Sequence, residues 1–247
     1  MSSLFCKKWC IIAFSIFGVT RTRQGKENRG GRFMDSGSLL EEAYRSIRKQ
    51  ILTCEIMLGD IISIYNLSEK LQMSRTPISN AISRLEREGL VQTLRNRGVL
   101  VKEISTREVI EMFEIYQAHQ LYVLEVVKEN SMYKFDLDKL STIVQQQKEA
   151  KARGDYLAYA DLSLQFFRNF VITIHNQVLL QITDTHHDKI YMYSVARYKL
   201  FPQQRVFSGL TFNTAMHQAL TDRDFDHARQ LTKDHYRELR ERLIMRG

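Results

Sequence analysis

Residues 66–91 read NLSEKLQMSRTPISNAISRLEREGLV, and this stretch decides the fold of the N-terminal half. It opens with a short helix-forming segment, and Asn66 is a residue type that caps helix N-termini. A second helix is predicted to begin at Thr76 and Pro77, since Thr caps a helix and Pro fits its first turn. Gly89 is the left-handed residue expected after the end of that helix. Two helices joined by a tight turn predict a helix-turn-helix.

The segments on either side complete the motif. Residues 39–53 carry apolar side chains at spacings of three and four, which predicts a helix with one buried stripe. Residues 61–64 are long enough for only a short extended piece. Residues 90–94 and 99–102 are β-prone and are separated by a turn sequence at 95–98, which predicts a hairpin. Three helices followed by a hairpin predict a winged helix-turn-helix.

The remainder of the chain is predicted to be helical. Ser105 and Glu108 have the spacing of a capping box at the start of a long helix. Only 2 Pro and 11 Gly occur in the whole chain, which favours helices. The predicted fold class is mainly α, an N-terminal winged helix-turn-helix of α+β type followed by an all-α helical bundle. The predicted domains are an extension at 1–33, a DNA-binding domain at 34–104 and an effector-binding and dimerisation domain at 105–247.

The positive charge of the chain is concentrated in its first 33 residues. The formal net charge is +8, and seven Lys or Arg against one Glu lie in residues 1–33. For the rest of the chain, net charge is therefore a weak argument for a polyanionic partner. The apolar run from Trp9 to Val19 has the length of a signal-peptide core and is too short for a membrane span. Three interpretations stay open: translation that starts at Met34, a membrane-associated segment, or a disordered tail.

The second helix of the motif carries side chains that suit the major groove of DNA. Short polar side chains let a helix lie deep in the groove, and an arginine can form two hydrogen bonds with guanine. Arginines at the tip of the hairpin can reach phosphates or the minor groove. Taken singly, these features are also typical of ordinary helix starts and solvated loops, but their order favours DNA binding. The predicted DNA-binding residues are Ser74, Arg75, Thr76, Ser79, Asn80, Arg95, Arg97 and Gly98.

Residues 66–101, and the run at 67–91 above all, resemble the GntR family of bacterial regulators. The upstream helix and turn, with Leu58, Gly59 and Asp60, fit the same family. The resemblance implies a winged helix-turn-helix. It also implies DNA contacts at four matching positions, Arg75, Thr76, Arg97 and Gly98.

Two departures from the family pattern bear on the choice of operator. Tyr65 stands where the family often has an arginine before the second helix, and Ser79 replaces the usual arginine of the recognition helix. Fewer cations that bind phosphate mean weaker binding or a different base preference. We therefore expect an operator that diverges from the common one of the family.

From Ser105 onward the chain resembles the C-terminal effector domain of the FadR subfamily. The landmarks are Gly154-Asp155, Asp161 with Phe166, His175-Asn176, Ala219-Leu220, Asp224, Ala228-Arg229 and His235. Many members of that subfamily hold a divalent metal with one Asp and three His, and this metal helps to bind a carboxylate effector. The resemblance places the four positions at Asp161, Gln165, Asn213 and His235.

Two of the three expected histidines are thus amides, which are poor ligands for borderline transition metals. The sequence predicts no tightly bound metal and no other cofactor; should a metal bind, its ligands would be Asp161, His235 and, one helical turn past Asn213, His217. Tyr116 stands where the subfamily often has an arginine, which weakens the argument for a simple organic-acid effector. The polar set forms either an uncharged hydrogen-bonding pocket or part of the core. The predicted effector-binding residues are Tyr116, Asp161, Gln165, Asn213 and His235.

The sequence therefore predicts a transcriptional regulator, either repressor or activator, and not an enzyme. A nucleophile elbow, a phosphate-binding glycine loop and a metalloprotease helix are all missing from the sequence. The predicted partners are a double-stranded operator with two-fold symmetry, a small-molecule effector, for which an organic acid is one candidate, and a second copy of the chain. Three cysteines without a disulfide framework favour the cytoplasm. The alternatives are a membrane-tethered sensor and a metal-dependent enzyme in which the winged helix is an interaction module.

Overall fold

Among the described residues, three helices and a small sheet form the N-terminal half. The computed structural model describes residues 36–204 and 207–246. Helix α1 spans Ser36–Leu52, α2 spans Ile64–Leu71 and α3 spans Arg75–Arg87. The predicted stripe of α1 is buried, since Ala43, Ile47 and Ile51 are fully inaccessible to solvent. The spacing of three and four places these side chains on one face, which packs against α3.

The sheet has three antiparallel strands in the order β1-β3-β2. Strand β1 spans Ile61–Ile62, β2 spans Val91–Leu94 and β3 spans Gly98–Val101. Gly98 closes the hairpin opposite Leu94 and has a φ of 102°. A Cβ at this position would lie 2.6 Å from the carbonyl oxygen of Ile62, so the sheet requires glycine here.

Both helices of the helix-turn-helix begin earlier than predicted. Helix α2 starts directly after Ser63, whose hydroxyl accepts a hydrogen bond from the backbone N–H of Asn66 at 3.4 Å. Asn66 therefore lies inside the helix and is not its cap. Helix α3 starts directly after Ser74, which places Thr76 and Pro77 within the first turn. Proline is tolerated there because the first N–H groups of a helix have no intrahelical acceptor.

Six α-helices form the C-terminal half of the described chain, and Ser105 and Glu108 make the predicted capping box at their start. None of the described helices combines the length and the apolar character that a bilayer crossing requires. The fold class is confirmed as mainly α, a winged helix followed by a helical domain. The helices are α4 Thr106–Glu129, α5 Leu137–Ala152, α6 Tyr156–Ile172, α7 Gln177–Leu200, α8 Ser208–Thr221 and α9 Phe225–Arg246, with a short 3-10 helix at Pro202–Gln204 before α8.

Helix α7 belongs to both halves. Its residues Met192, Val195 and Ala196 are buried in the same hydrophobic cluster as the side chains of the winged helix. The ammonium of Lys199 also donates to the carbonyl oxygen of Cys54 at 3.0 Å. The domain boundary at residue 104 therefore stays a prediction. The hydrophobic core of the winged helix contains side chains from both sides of this boundary. The interpretations of residues 1–33, including Met34 as the start, concern residues outside those described.

Candidate DNA-binding surface and ligand cavity

A groove lies between the start of α3 and the hairpin. Four of the predicted DNA-binding residues line it, namely Arg75, Ser79, Arg97 and Gly98. The other four are solvent-exposed: Ser74, Thr76 and Asn80 at the start of α3, and Arg95 in the hairpin turn. The remaining groove residues are Ile61, Ser63, Ile64, Tyr65 and Asn96. The fold thus brings recognition-helix and hairpin residues to one surface.

The arginines of this surface and Arg84, near the end of α3, differ in whether they form ion pairs. In the part of the chain described here, Arg75 and Arg97 form no ion pair with a carboxylate. The guanidinium of Arg84 lies 3.6 Å from the ring centroid of Tyr44 and 2.9 Å from a carboxylate oxygen of Glu41. Arg84 therefore holds α3 against α1, whereas Arg75 at the start of α3 and Arg97 in the hairpin turn remain available for phosphate or base.

The wing is fixed to the recognition helix by Glu86. Its carboxylate accepts hydrogen bonds from the backbone N–H of Thr93 at 2.7 Å and from the hydroxyl of Thr93 at 3.0 Å. Charge-assisted hydrogen bonds of this kind are stronger than those between neutral groups. The position of the hairpin tip relative to α3 is therefore set by a side chain on α3 itself.

A cavity of about 200 Å³ lies among the helices of the C-terminal half. Aromatic side chains make up much of its wall, and its polar groups come from α6, α7, α8 and α9. It is lined by Phe113, Tyr156, Tyr159, Ala160, Ser163, Leu164, Ile190, Tyr193, Ser194, Arg197, Tyr198, Phe201, Ser208, Gly209, His235, Leu239, Arg242 and Leu243.

The polar groups of the cavity are positioned by hydrogen bonds and stacking. Arg242 donates to the hydroxyl of Ser208 at 3.1 Å, and the hydroxyl of Tyr159 accepts from the backbone N–H of Leu210 at 3.0 Å. The ring of His235 stacks on Phe212 with 4.1 Å between centroids. Burial, and then the positive charge of Arg242, lower the pKa of His235 to about 4. At neutral pH the cavity therefore presents a neutral imidazole beside a permanent cation.

The structure does not bring the five predicted effector-binding residues into one site. His235 alone among them lines the cavity. Tyr116 is buried in the core, where it stacks on Phe167 at 4.0 Å and donates to the carbonyl oxygen of Thr183 at 3.1 Å. Burial, with the nearby charges of Asp184 and Asp188, raises the pKa of Tyr116. Tyr116 is thus a satisfied core group in this structure.

The remaining members lie on other faces of their helices. The amide of Gln165 donates to Asp161 at 2.6 Å, and Asp161 lies 4.0 Å from the imidazole of His187 on α7. Asn213 is buried and donates to Gln147 on α5 at 3.1 Å. Gln165 thus pairs with Asp161 and Asn213 with Gln147, and none of these residues lines the cavity that His235 lines.

The side chains present do not fit the metal that the subfamily resemblance implies. The imidazole of His217 lies 3.1 Å from the carbonyl oxygen of Leu137 on α5. Asp161 and Asn213 are engaged elsewhere, as above. Among residues 36–204 and 207–246, no three His, Cys, Asp or Glu side chains are grouped in a way that would hold a metal ion. His235 is left without the acidic and imidazole partners that a zinc site needs.

Ser163, Arg197 and Arg242 were not among the residues predicted from the sequence, yet they supply polar groups of the cavity. The spacing of these residues along the helices is a signal in the sequence that could have indicated them. Residues 156, 159, 160, 163 and 164 form one stripe of α6, and residues 190, 193, 194, 197 and 198 form one stripe of α7. Tyrosines interleaved with Ser and Arg at such spacing indicate a polar-lined aromatic cavity between helices.

A winged helix with an exposed recognition helix, followed by a helical domain that encloses a cavity, defines a class of DNA-binding transcriptional regulators. Residues 39–101 match the family model described as bacterial regulatory proteins, gntR family. Residues 131–238 match the FCD domain. The chain belongs to the GntR family, with the FCD domain that the FadR-like subfamily carries.

Relatives and solved structures agree with this assignment. An HTH-type transcriptional regulator of Agrobacterium vitis, encoded in the TAR-I ttuE-ttuC' intergenic region, is 29% identical over 97 residues, which cover 39% of this chain and 57% of that protein. The HTH-type transcriptional repressor RspR of Escherichia coli K12 is 27% identical over 148 residues, 58% of this chain and 59% of RspR. Less than two thirds of either relative is therefore spanned. A GntR-type regulator of Rhodococcus sp. RHA1 has the same fold, with a TM-score of 0.70 at 16% identity over 84% of this chain and 98% of that one.

Proposed function

We propose that this chain binds a two-fold symmetric DNA operator as a homodimer, and that a small organic anion in the cavity changes its affinity for that operator. The observation that carries the proposal is the double role of α7. Its residues Ile190, Tyr193 and Ser194 line the cavity, while Met192 and Val195 are buried in the winged-helix core. A ligand that moves α7 would therefore act directly on the packing of the DNA-binding half.

Operator binding is assigned to the groove residues and the exposed start of α3. The hydroxyl of Ser74 makes no capping hydrogen bond, so the first N–H groups of α3 are not capped by it, and the side chains of Arg75 and Thr76 beside them are exposed. Such N–H groups and an arginine suit phosphate and guanine. Arg95 and Arg97 at the hairpin turn would follow the adjacent backbone or minor groove.

We assign the proposed dimer interface to an apolar face formed by α4 and α7. The two helices are joined there by His119, whose ring lies 3.2 Å from the hydroxyl of Thr183. Exposed apolar side chains flank this contact: Ile115 and Tyr122 on α4, and Val178 and Ile182 on α7. A two-fold operator requires two recognition helices, and an isologous pairing of this face would supply them. Sedimentation velocity of the protein and of Ile182→Asp tests the assignment, because a charge on this face should give monomers.

The cavity favours an anion with a small aromatic or apolar body. Arg242 and Arg197 supply positive charge, while Tyr156, Tyr159 and Phe113 present ring faces. The volume of about 200 Å³ limits the ligand to roughly one ring with its substituents. The neutral His235 and the hydroxyls of serine and tyrosine can orient it. Because the side chains do not fit a metal, the guanidinium takes the role of the cation in this proposal.

Thermal denaturation with benzoate, salicylate and the uncharged benzamide as probes tests the ligand class. Benzoate or salicylate should raise the melting temperature, and benzamide should raise it much less. Arg242→Gln should weaken binding of the anion by about 10-fold or more, since hydrogen bonds to charged groups are worth about 1.5–3 kcal/mol. Arg240→Gln is the matched control, because Arg240 lies on the same helix but not in the cavity.

The outcomes separate the two halves of the proposal. Equal effects of benzoate and benzamide, or equal loss in the two arginine variants, would overturn the assignment of an anion to the cavity. Binding of a labelled operator, measured with and without the probe, tests the coupling to DNA. The interpretations that the chain is not an enzyme and that it acts in the cytoplasm remain predictions, checked by turnover assays and by cell fractionation.

A further inference from the structure

Tyr65 is an exposed aromatic side chain on the surface assigned to DNA. It lies near the start of α2, and 55% of it is accessible to solvent. The guanidinium carbon of Arg75, at the start of α3, lies 5.5 Å from the centroid of its ring. Both residues line the same groove. The ring therefore contacts an arginine to which the proposed function assigns a DNA contact.

A ring and a guanidinium at this distance attract each other. The face of an aromatic ring carries negative potential, so a cation within about 6 Å of its centroid is stabilised there. Arg75 has several rotatable bonds and no carboxylate partner among the described residues, so this contact narrows its conformations. Guanine is read by the two parallel N–H groups of a planar guanidinium, and that contact needs a defined orientation.

Arg75 shares the groove with a short side chain of its own helix and with residues of the hairpin. Ser79, one turn further along α3, is short, and Arg97 and Gly98 lie on the hairpin side. A cation at position 65 would repel Arg75 and would bind phosphate itself. A tyrosine adds no charge, and it positions the cation that is present.

We propose that Tyr65 is a positioning residue that sets the base preference of Arg75. The proposal rests on the operator contacts proposed above, and it concerns discrimination between sequences more than total affinity. The ring, and not the hydroxyl, carries the effect. Tyr65 and Arg75 therefore act as one unit in sequence recognition.

The experiment starts from an operator selected with the unaltered full-length protein. Each guanine is substituted by 7-deazaguanine, an analogue that lacks the N7 acceptor, and the base read by Arg75 is the one whose substitution weakens binding of the unaltered protein but not of Arg75→Ala. Affinities for the operator and for the deazaguanine operator are then measured for Tyr65→Phe, Tyr65→Ala and Tyr65→Arg, each with and without Arg75→Ala. Met132→Ala is the control, because Met132 is an exposed apolar residue at 76% accessibility outside the groove.

The readout is a ratio, the affinity for the operator divided by the affinity for the deazaguanine operator. We expect Tyr65→Phe to keep it within about 2-fold, and Tyr65→Ala to lower it about 2- to 5-fold. Tyr65→Arg should bind all DNA more tightly, lower the ratio and steepen the salt dependence by about one phosphate contact. In the Arg75→Ala background, Tyr65→Ala should leave the ratio unchanged.

An unchanged ratio in Tyr65→Ala, equal losses in the Phe and Ala variants, or an effect that persists without Arg75 would each overturn the proposal. Circular dichroism confirms that each variant is folded, and the Phe and Arg variants test the idea even if Ala is unstable. Failure of the proposed function looks different. In that case no operator is selected, or Arg75→Ala binds the operator as tightly as the unaltered protein.

Discussion

Arg48 of α1 and Asp188 of α7 form an ion pair between the winged helix and the helical domain, with 32% and 23% of their side chains accessible. Burial opposes the charge of Asp188, but a hydrogen bond from His187 and the charge of Arg48 hold the pKa of this carboxyl below its usual value. Asp188→Asn should lower the free energy of unfolding by about 1–3 kcal/mol, because it leaves a partly buried guanidinium without its counter-charge. Urea denaturation measures this change.

The matched control is Glu111→Gln, which removes the carboxylate partner of Arg107 on α4. That pair is exposed, with 88% and 55% of the side chains accessible. Exposed pairs contribute about 0.5 kcal/mol or less. Equal losses in the two variants would show that the contact between α1 and α7 does not stabilise the fold.

The wing depends on glycine at position 98. Gly98→Ala places a Cβ 2.6 Å from the carbonyl oxygen of Ile62 in the neighbouring strand, so the pairing of β1 with β3 must shift. We expect a loss of stability of about 2 kcal/mol or more, together with weaker DNA binding. Gly154→Ala is the control, because Gly154 also has a positive φ, 70°, but no atom lies within 4 Å of its added Cβ. Gly154→Ala should lose only about 1–2 kcal/mol of stability, because of the added backbone strain, and keep its DNA affinity.

Stability should fall as the pH drops below about 6.5, and His119 should contribute to this fall together with His186 and His235, whose pKa values are also lowered. The ring of His119 contacts Thr183, whose hydroxyl already donates to the carbonyl oxygen of Leu179, so the ring nitrogen is the donor in that contact. Burial, and then the neighbouring His186, lower the pKa of His119 below its ordinary value. The unfolded state then binds more protons than the folded state between these two pKa values, which favours unfolding as the pH falls.

Urea denaturation at pH 7.5 and at pH 5.5 measures the effect of His119. His119→Gln should lose less stability between the two pH values than the unaltered protein does. His227→Gln, a change at an exposed histidine of α9, should follow the unaltered protein. Identical pH dependence in all three proteins would contradict this account.

Metal removal should leave the protein unchanged. Because Asp161 and Asn213 are hydrogen-bonded to Gln165 and Gln147, and no three ligand side chains are grouped among the described residues, dialysis against a chelator should shift the melting temperature by less than about 1 °C, and anion binding should persist. Elemental analysis of the purified protein provides the direct measurement. One tightly bound zinc per chain would show that these side chains rearrange into a site.

The winged helix could be predicted from the sequence because its signals are local. The buried stripe of α1, the polar start of α3 and the turn closed by Gly98 are each formed by residues that lie close together in the sequence. The exact caps were harder to predict. Ser63 and Asn66 are both good cap residues, and residue type alone does not decide which of them caps α2.

The cavity could not be predicted in the same way, because it depends on how separate helices rotate about their axes. A shift of two positions along α6, from Asp161 to Ser163, turns the side chain by about 160° and moves it out of the cavity wall or into it. Spacing relative to a family pattern does not fix that rotation. Tyr116 shows the same limit, since its place in the core is set by stacking on Phe167, 51 positions further along the chain.

The burial of Met192, Val195 and Ala196 in the winged-helix core has a consequence for how such proteins are recombined. A DNA-binding half that borrows part of its interior from a distant helix is not a free-standing module. If the winged helix were fused to another sensor domain, the side chains of α7 would be missing from its core, and its hydrophobic cluster would be exposed to water. A working chimera must therefore carry over the matching side of α7 together with the winged helix, so the two halves are expected to diverge in step.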